Sequence, residues 1–104
     1  MEITTEGPIL YLHGEFDVRC TGAVRSAIDD QLRSHDGDVT IDLHDVGSVD
    51  CTALKVLAAA SRRATRSGHR IVLVGANGQV RRMLHLTHLI RLVELERDEA
   101  LVGS

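Results

Sequence analysis

Between Val39 and Leu57 the sequence VTIDLHDVGSVDCTALKVL changes its hydrophobic period from two to about 3.6. Val39, Ile41 and Leu43 alternate with Thr40 and Asp42, as in a strand with one strongly apolar face. Leu54, Leu57 and Ala58 then recur at helical spacing. The period changes at Asp50-Cys51-Thr52, so a carboxylate, a thiol and a hydroxyl stand where a strand's carboxyl end meets a helix's amino end. That is the usual place for binding and switching in open α/β sheets. A functional surface is expected there.

The flanking sequence supplies the partners of this unit. Glu2–Thr5 and Ile9–His13 read as strands joined by the turn residues Glu6-Gly7-Pro8, hence an antiparallel hairpin with Leu10 and Leu12 toward the core and Ile9 and Tyr11 on the other side. Gly14-Glu15-Phe16-Asp17 leads into a helix from about Cys20 to Arg33, with Val24, Ile28 and Leu32 on one stripe and Asp17 or Thr21 as its cap. After the polar turn His35–Asp38 and the central strand, a second helix runs from about Thr52 to Arg66 and closes at Gly68. Its Arg62, Arg63 and Arg66 complement the carbonyl end of the helix dipole. Arg70–Val74 is apolar on both faces, as a fully covered parallel strand would be. Asn77 caps a third helix, Gln79 to Thr87, with Val80, Met83 and Leu84 inward. Leu92–Glu96 alternates as a last strand, and Asp98–Val102 adds a short helix. The order β-β-α-β-α-β-α-β makes an α/β sandwich with a mixed sheet, and right-handed crossovers bring the strand ends at Asp17 and Asp50 to one edge.

At 104 residues the chain is expected to be one domain, 1–104, with one core. With 43% hydrophobic and 26% charged residues it is an ordered domain, and with one Phe, one Tyr and no Trp its core is aliphatic. The missing aromatic platforms and the formal charge of −3 argue against a nucleic-acid partner. No apolar run is long enough to span a membrane and no basic-then-apolar leader opens the sequence, so a cytoplasmic protein without direct membrane insertion is expected. Its two cysteines are expected to be reduced thiols.

Three constellations could carry chemistry. Thr52 is a candidate phosphoacceptor: backbone amides at the helix start would stabilise a phosphoryl group there, while Asp50 and Asp17 would repel it. A plain capping role for Asp50 or Thr52 is the competing reading. Cys20 and Cys51, both near helix starts, are candidates for a redox-sensitive pair, and an enzyme centred on Cys51 would need a histidine base that the sequence does not locate. His85 and His88 are three apart, but two ligands do not make a metal site, and no metal or other cofactor is expected. Gly75-Ala76-Asn77-Gly78 matches no nucleotide-binding fingerprint and reads as a turn and cap.

Five segments in order resemble the STAS domain of bacterial anti-sigma factor antagonists. Leu12-His13-Gly14-Glu15-Phe16-Asp17 is similar to the family's Leu-x-Gly-Glu-Leu-Asp. Val39–Leu43, Val49-Asp50-Cys51-Thr52-Ala53-Leu54 and Gly68–Val74 follow, and Val80–Leu84 with Leu86-Thr87-His88-Leu89 resembles a third helix that commonly ends Leu-Thr-Gly-Leu. The resemblance implies the STAS (SpoIIAA-like) fold and a binding switch, not an enzyme. Its protein partner would be an anti-sigma factor of the serine/threonine kinase type, whose capture releases a sigma factor. Thr52 would take the phosphoacceptor position, Asp50 the motif's aspartate and Asp17 that of the earlier strand end, with Cys51, Ala53 and Lys55 completing the binding surface and a phosphatase resetting the switch. Cys51 replaces the motif's first hydroxyl residue and Ala53 its glycine, and Ala53 is expected to add a methyl group to the surface a kinase approaches while favouring helix. His88 replaces another usual glycine, at some conformational cost. The alternatives are a STAS subunit on the cytoplasmic side of a lipid-transporting ABC complex, in which Thr52 supports assembly without phosphate, and a thiol redox regulator using Cys20 and Cys51.

Overall fold

The computed structural model describes residues 1–96. The hairpin pairs Glu2–Glu6 (β1) with Ile9–Phe16 (β2) antiparallel. Parallel to β2 runs Val39–Val49 (β3), then Ile71–Val74 (β4) and Glu94–Leu95 (β5), giving one sheet of order β1-β2-β3-β4-β5. Its helices are Thr21–Ser34 (α1), Cys51–Arg66 (α2) and Gly78–Leu86 (α3), with short 3-10 turns at Val18–Cys20 and Leu89–Leu92. This is the mixed α/β sheet and the element order expected of the sequence; the helix expected at Asp98–Val102 lies outside the described residues.

All three helices pack on the same face of the sheet. Leu10, Leu12 and Phe16 of β2, Val39, Ile41, Leu43 and Val46 of β3, and Ile71 and Leu73 of β4 join Val24 and Ile28 of α1, Ala53–Leu57–Ala60–Ala64 of α2, and Val80 and Leu84 of α3 in one buried cluster. Each fully buried Leu or Ile in it contributes about 1.5–3 kcal/mol. The sandwich is therefore two layers, which corrects one reading. Val72 and Val74 are only half-buried, because they point to the face that no helix covers among the described residues. The apolar doublet in β4 comes from valine's fitness for strand geometry and does not mark a second helical layer.

Two strands run further than the period-two pattern predicts, β2 to Phe16 and β3 to Val49. The parallel pair stays in step through register shifts between Tyr11 and His13 and between Gly14 and Phe16. Both shifts place the extra residue in β3, so Val46 returns to the core three residues after Leu43, whereas Phe16 keeps the phase of Leu10 and Leu12 beyond a stretch that reads as a loop. β5 is shorter than Leu92–Glu96, since Leu92 belongs to the preceding 3-10 turn.

Helix ends follow local chemistry. Asn77 Oδ1 accepts from Val80 N at 2.9 Å, as its sequence position predicts, and its amide nitrogen also reaches Val46 O and Gly47 O, fastening α3 to β3. At the end of α2, Gly68 takes a φ of 81°, with His69 N on Ala64 O (2.8 Å) and Gly68 N on Thr65 O (3.1 Å). That paired pattern satisfies the last carbonyls of the helix.

Candidate functional site

β2 and β3 end side by side, with Phe16 opposite Val49. Asp50 N donates to Phe16 O at 3.2 Å, so the residues after each strand, Asp17 and Asp50, emerge on one rim. The edge inferred from crossover handedness is the observed one.

Asp50 fastens the rim. Its Oδ1 accepts from Ala53 N at 2.7 Å, capping α2, while its Oδ2 accepts from Val18 N at 2.9 Å across the strand ends. One carboxylate thus fixes both the start of α2 and the start of the 3-10 turn after β2. Asp17 caps that turn in its own right, accepting from Arg19 N at 2.9 Å, and is gripped by the Arg19 guanidinium at 2.6 Å. The Arg19 hydrogen bonds hold the Asp17 carboxyl below the usual carboxylate range, and Asp17 in turn raises Arg19. Of the two caps considered for the first helix, then, Asp17 serves the 3-10 turn, whereas the Thr21 hydroxyl donates back to Val18 O.

Cys51 and Thr52 open α2 and are exposed, and Lys55, one turn on, is exposed too. Ala53 is not part of this surface: it is fully buried, the first member of the inward stripe Ala53–Leu57–Ala60–Ala64. Its methyl group faces the sheet, so the surface assigned to it from the sequence belongs to its neighbours. That i, i+4, i+7, i+11 spacing was legible in the sequence and identifies the residue as core.

Both cysteines are free thiols. The Cys20 sulfur is folded back on its own turn, donating to Asp17 O at 3.3 Å and accepting from Asp17 N at 3.4 Å. His85 and His88 are exposed, and among the described residues no group of three or more potential metal ligands occurs.

Sequence reasoning passed over the apolar part of the rim. Val18 is 59% exposed beside Asp17, and Leu86, at the end of α3, is 64% exposed. Leu86 edges a hollow of about 330 Å³ that Gln79, Arg82 and Met83 of α3 and Ser48 and Val49 at the end of β3 also line. The available signal was Leu86 lying off the Val80–Leu84 stripe of its helix.

The fold recurs in solved structures. A Thermotoga maritima protein described as a candidate anti-sigma factor antagonist shares 24% identity, with a TM-score of 0.76 over 98% of this chain and 92% of its own. An anti-sigma factor antagonist from Mycobacterium paratuberculosis shares 24% identity, with a TM-score of 0.75 over 98% of this chain and 90% of its own. The anti-sigma factor antagonist SpoIIAA in its unphosphorylated form shares 13%, with a TM-score of 0.71 over 98% of this chain and 92% of its own. No curated protein matches the sequence. The family model described as "Mlab, STAS domain" matches residues 1–94, and the chain therefore belongs to the STAS domain family.

Proposed function

We propose that the chain is a protein-docking switch, an anti-sigma factor antagonist that captures a kinase-type anti-sigma factor through the rim of Asp17, Asp50, Cys51, Thr52 and Lys55 and so releases a sigma factor. The observation that carries this reading is the exposed Thr52 hydroxyl in the first turn of α2, on a rim that Asp50 ties to the end of β2. A rigid, partly apolar patch with Val18 and Leu86 at its borders suits a protein partner better than a small substrate. The role is binding, not catalysis. Phosphorylation would be reset by a phosphatase and would proceed on the partner: a bond forms between Thr52 Oγ and the γ-phosphorus of ATP, the bond from that phosphorus to the β–γ bridging oxygen breaks, ADP leaves, and a base of the kinase takes the hydroxyl proton. The product places about two negative charges beside Asp50 and Asp17, with Lys55 as the nearby cation on the same helix face.

A second reading has its own support. Ala53 is buried and Asp50 caps a regular helix, so Thr52 sits on formed helix, not in a mobile turn. The matching family model, moreover, carries the description Mlab and not that of an anti-sigma factor antagonist. Under this reading the chain is the STAS subunit on the cytoplasmic side of a lipid-transporting ABC complex, and the Thr52 hydroxyl makes a contact without being phosphorylated.

Intact mass after incubation with ATP and a cognate kinase, with Thr52→Ala as control, tests the first reading. A gain of one phosphate lost in the control supports it; an unchanged mass, with Thr52→Ala weakening assembly with the transporter ATPase, supports the second. Mild oxidation bears on the thiol alternative, which requires an internal disulfide that is lost in Cys20→Ser.

A further inference from the structure

At the far end of α2 the last turns face the 3-10 turn Leu89–Leu92 across a hollow of about 300 Å³ lined by Ser61, Arg62, Thr65, Arg66, Arg91 and Leu92. Three of the six are arginines and none is acidic, in a chain whose net charge is −3. Among the described residues, none of these three guanidiniums takes part in an ion pair, unlike Arg63, which meets Asp29 at 3.0 Å.

Complementing the helix dipole does not account for this arrangement. Arg91 comes from a different element and converges on the same hollow. The carbonyls at the end of α2 are already satisfied by Ser67, Gly68 and His69, which blunts the negative end that the arginines would neutralise. The floor of the hollow offers no donor of its own. Ser61 is 7% exposed and its Oγ has no hydrogen-bond partner, whereas a helical serine ordinarily bonds back to a carbonyl one turn earlier. The neighbouring Thr65 hydroxyl is spent on Ser61 O at 3.0 Å and the Ser61 Oγ has no surface open to the hollow, so the donors left to a ligand are the three guanidiniums.

The geometry points to a binding site for a phosphate group in this hollow, with Arg62, Arg66 and Arg91 around a tetrahedral dianion and Leu92 walling one side. Guanidinium forks match phosphate oxygens in pairs, and three of them suit a doubly charged anion better than a single carboxylate. Free phosphate and a lipid phosphomonoester headgroup offer the same chemistry. The site stands apart from the Thr52 rim and does not depend on the partner that rim engages.

Titrating the 15N-labelled full chain with inorganic phosphate, against sodium chloride at matched ionic strength, reads the site by amide shifts. Saturable shifts at residues 61–66 and 89–92 are expected with phosphate alone, and Arg62→Gln and Arg66→Gln should each weaken binding by about tenfold. Arg62 and Arg66 are exposed, so these variants should fold. Sedimentation with phosphatidylcholine vesicles containing phosphatidic acid separates the sources. Retention competed by inorganic phosphate supports the lipid headgroup, and binding of inorganic phosphate without retention supports the free anion. Shifts reproduced by chloride, or unaffected by both arginine substitutions, would overturn the site.

Discussion

Removing the Asp50 carboxylate orphans two backbone donors at once, Ala53 N and Val18 N. Asp50→Ala should therefore cost about 1–2 kcal/mol in urea unfolding, at the upper end of cap losses, while Asp50→Asn, which keeps an oxygen for Ala53, should lose less. Equal losses would mean the bond to Val18 and the charge contribute most. His88 shows the opposite imbalance: it holds a φ of 61°, the left-handed conformation that an L side chain adopts at a cost, and is exposed. His88→Gly should stabilise the fold by about 1 kcal/mol, less the added backbone freedom glycine brings to the unfolded chain. The cost was legible in the sequence because a family glycine is missing there. Asp17 carries a pH signature. Its carboxyl titrates below the ordinary range because Arg19 donates to it, so its small stabilisation is present above the unfolded-state pKa and disappears as pH falls through the lowered folded value. Arg19→Ala should move the Asp17 carboxyl carbon titration up toward the ordinary range, and an unmoved curve would reject the pairing as its cause.

The loop from β4 into α3 is shaped by one close approach. Gly75 has a φ of 74°, and a Cβ there would lie 2.4 Å from the His44 ring, which Asp42 holds by a 2.8 Å hydrogen bond. Gly75→Ala should destabilise by about 2 kcal/mol from the positive φ and the displaced ring together. Adding His44→Ala should recover the steric share and leave the conformational one, so the two changes should be non-additive in a double-mutant cycle. Additivity would place the whole cost in the backbone. Such close approaches cannot be read from sequence, where Gly75-Ala76-Asn77-Gly78 announces only a turn and a cap. The same limit explains the strands: Leu10, Leu12, Val39, Ile41 and Leu43 announce themselves by alternation, whereas Val46 reaches the core only through a register shift in the pairing of β3 with β2, and Phe16, though in phase with Leu12, follows the exposed Gly14 and Glu15 that hide the strand's continuation. Helix positions were more legible because capping is local, as at Asn77, Asp50 and Gly68. The Asp17–Asp50 rim could be inferred from handedness alone, but the exposed Val18 and Leu86 that border it depend on how the 3-10 turn and α3 are rotated on the sheet.

The sheet distributes stability unevenly, and the rim rests on its strongest part. β3 is central, flanked by β2 along almost its full length and by β4, while β5 contributes two residues at one edge and β1 is largely exposed at the other. Amides of Ile41 and Leu43 should exchange with solvent only through global unfolding, and those of β1 and β5 through local opening at much lower free energy. A surface carried on β2 and β3 is thus presented ready-made, so that binding there need not be preceded by folding of the rim. Thr52 is exposed at its edge and donates nothing to the core, so Thr52→Asp should leave the exchange protection of Ile41 and Leu43 unchanged while weakening the partner by about thirtyfold, the effect of losing about 2 kcal/mol at a central contact. Reduced protection in β3 would mean the substitution acts through the fold, and full affinity with intact protection would move the docking surface off this rim altogether.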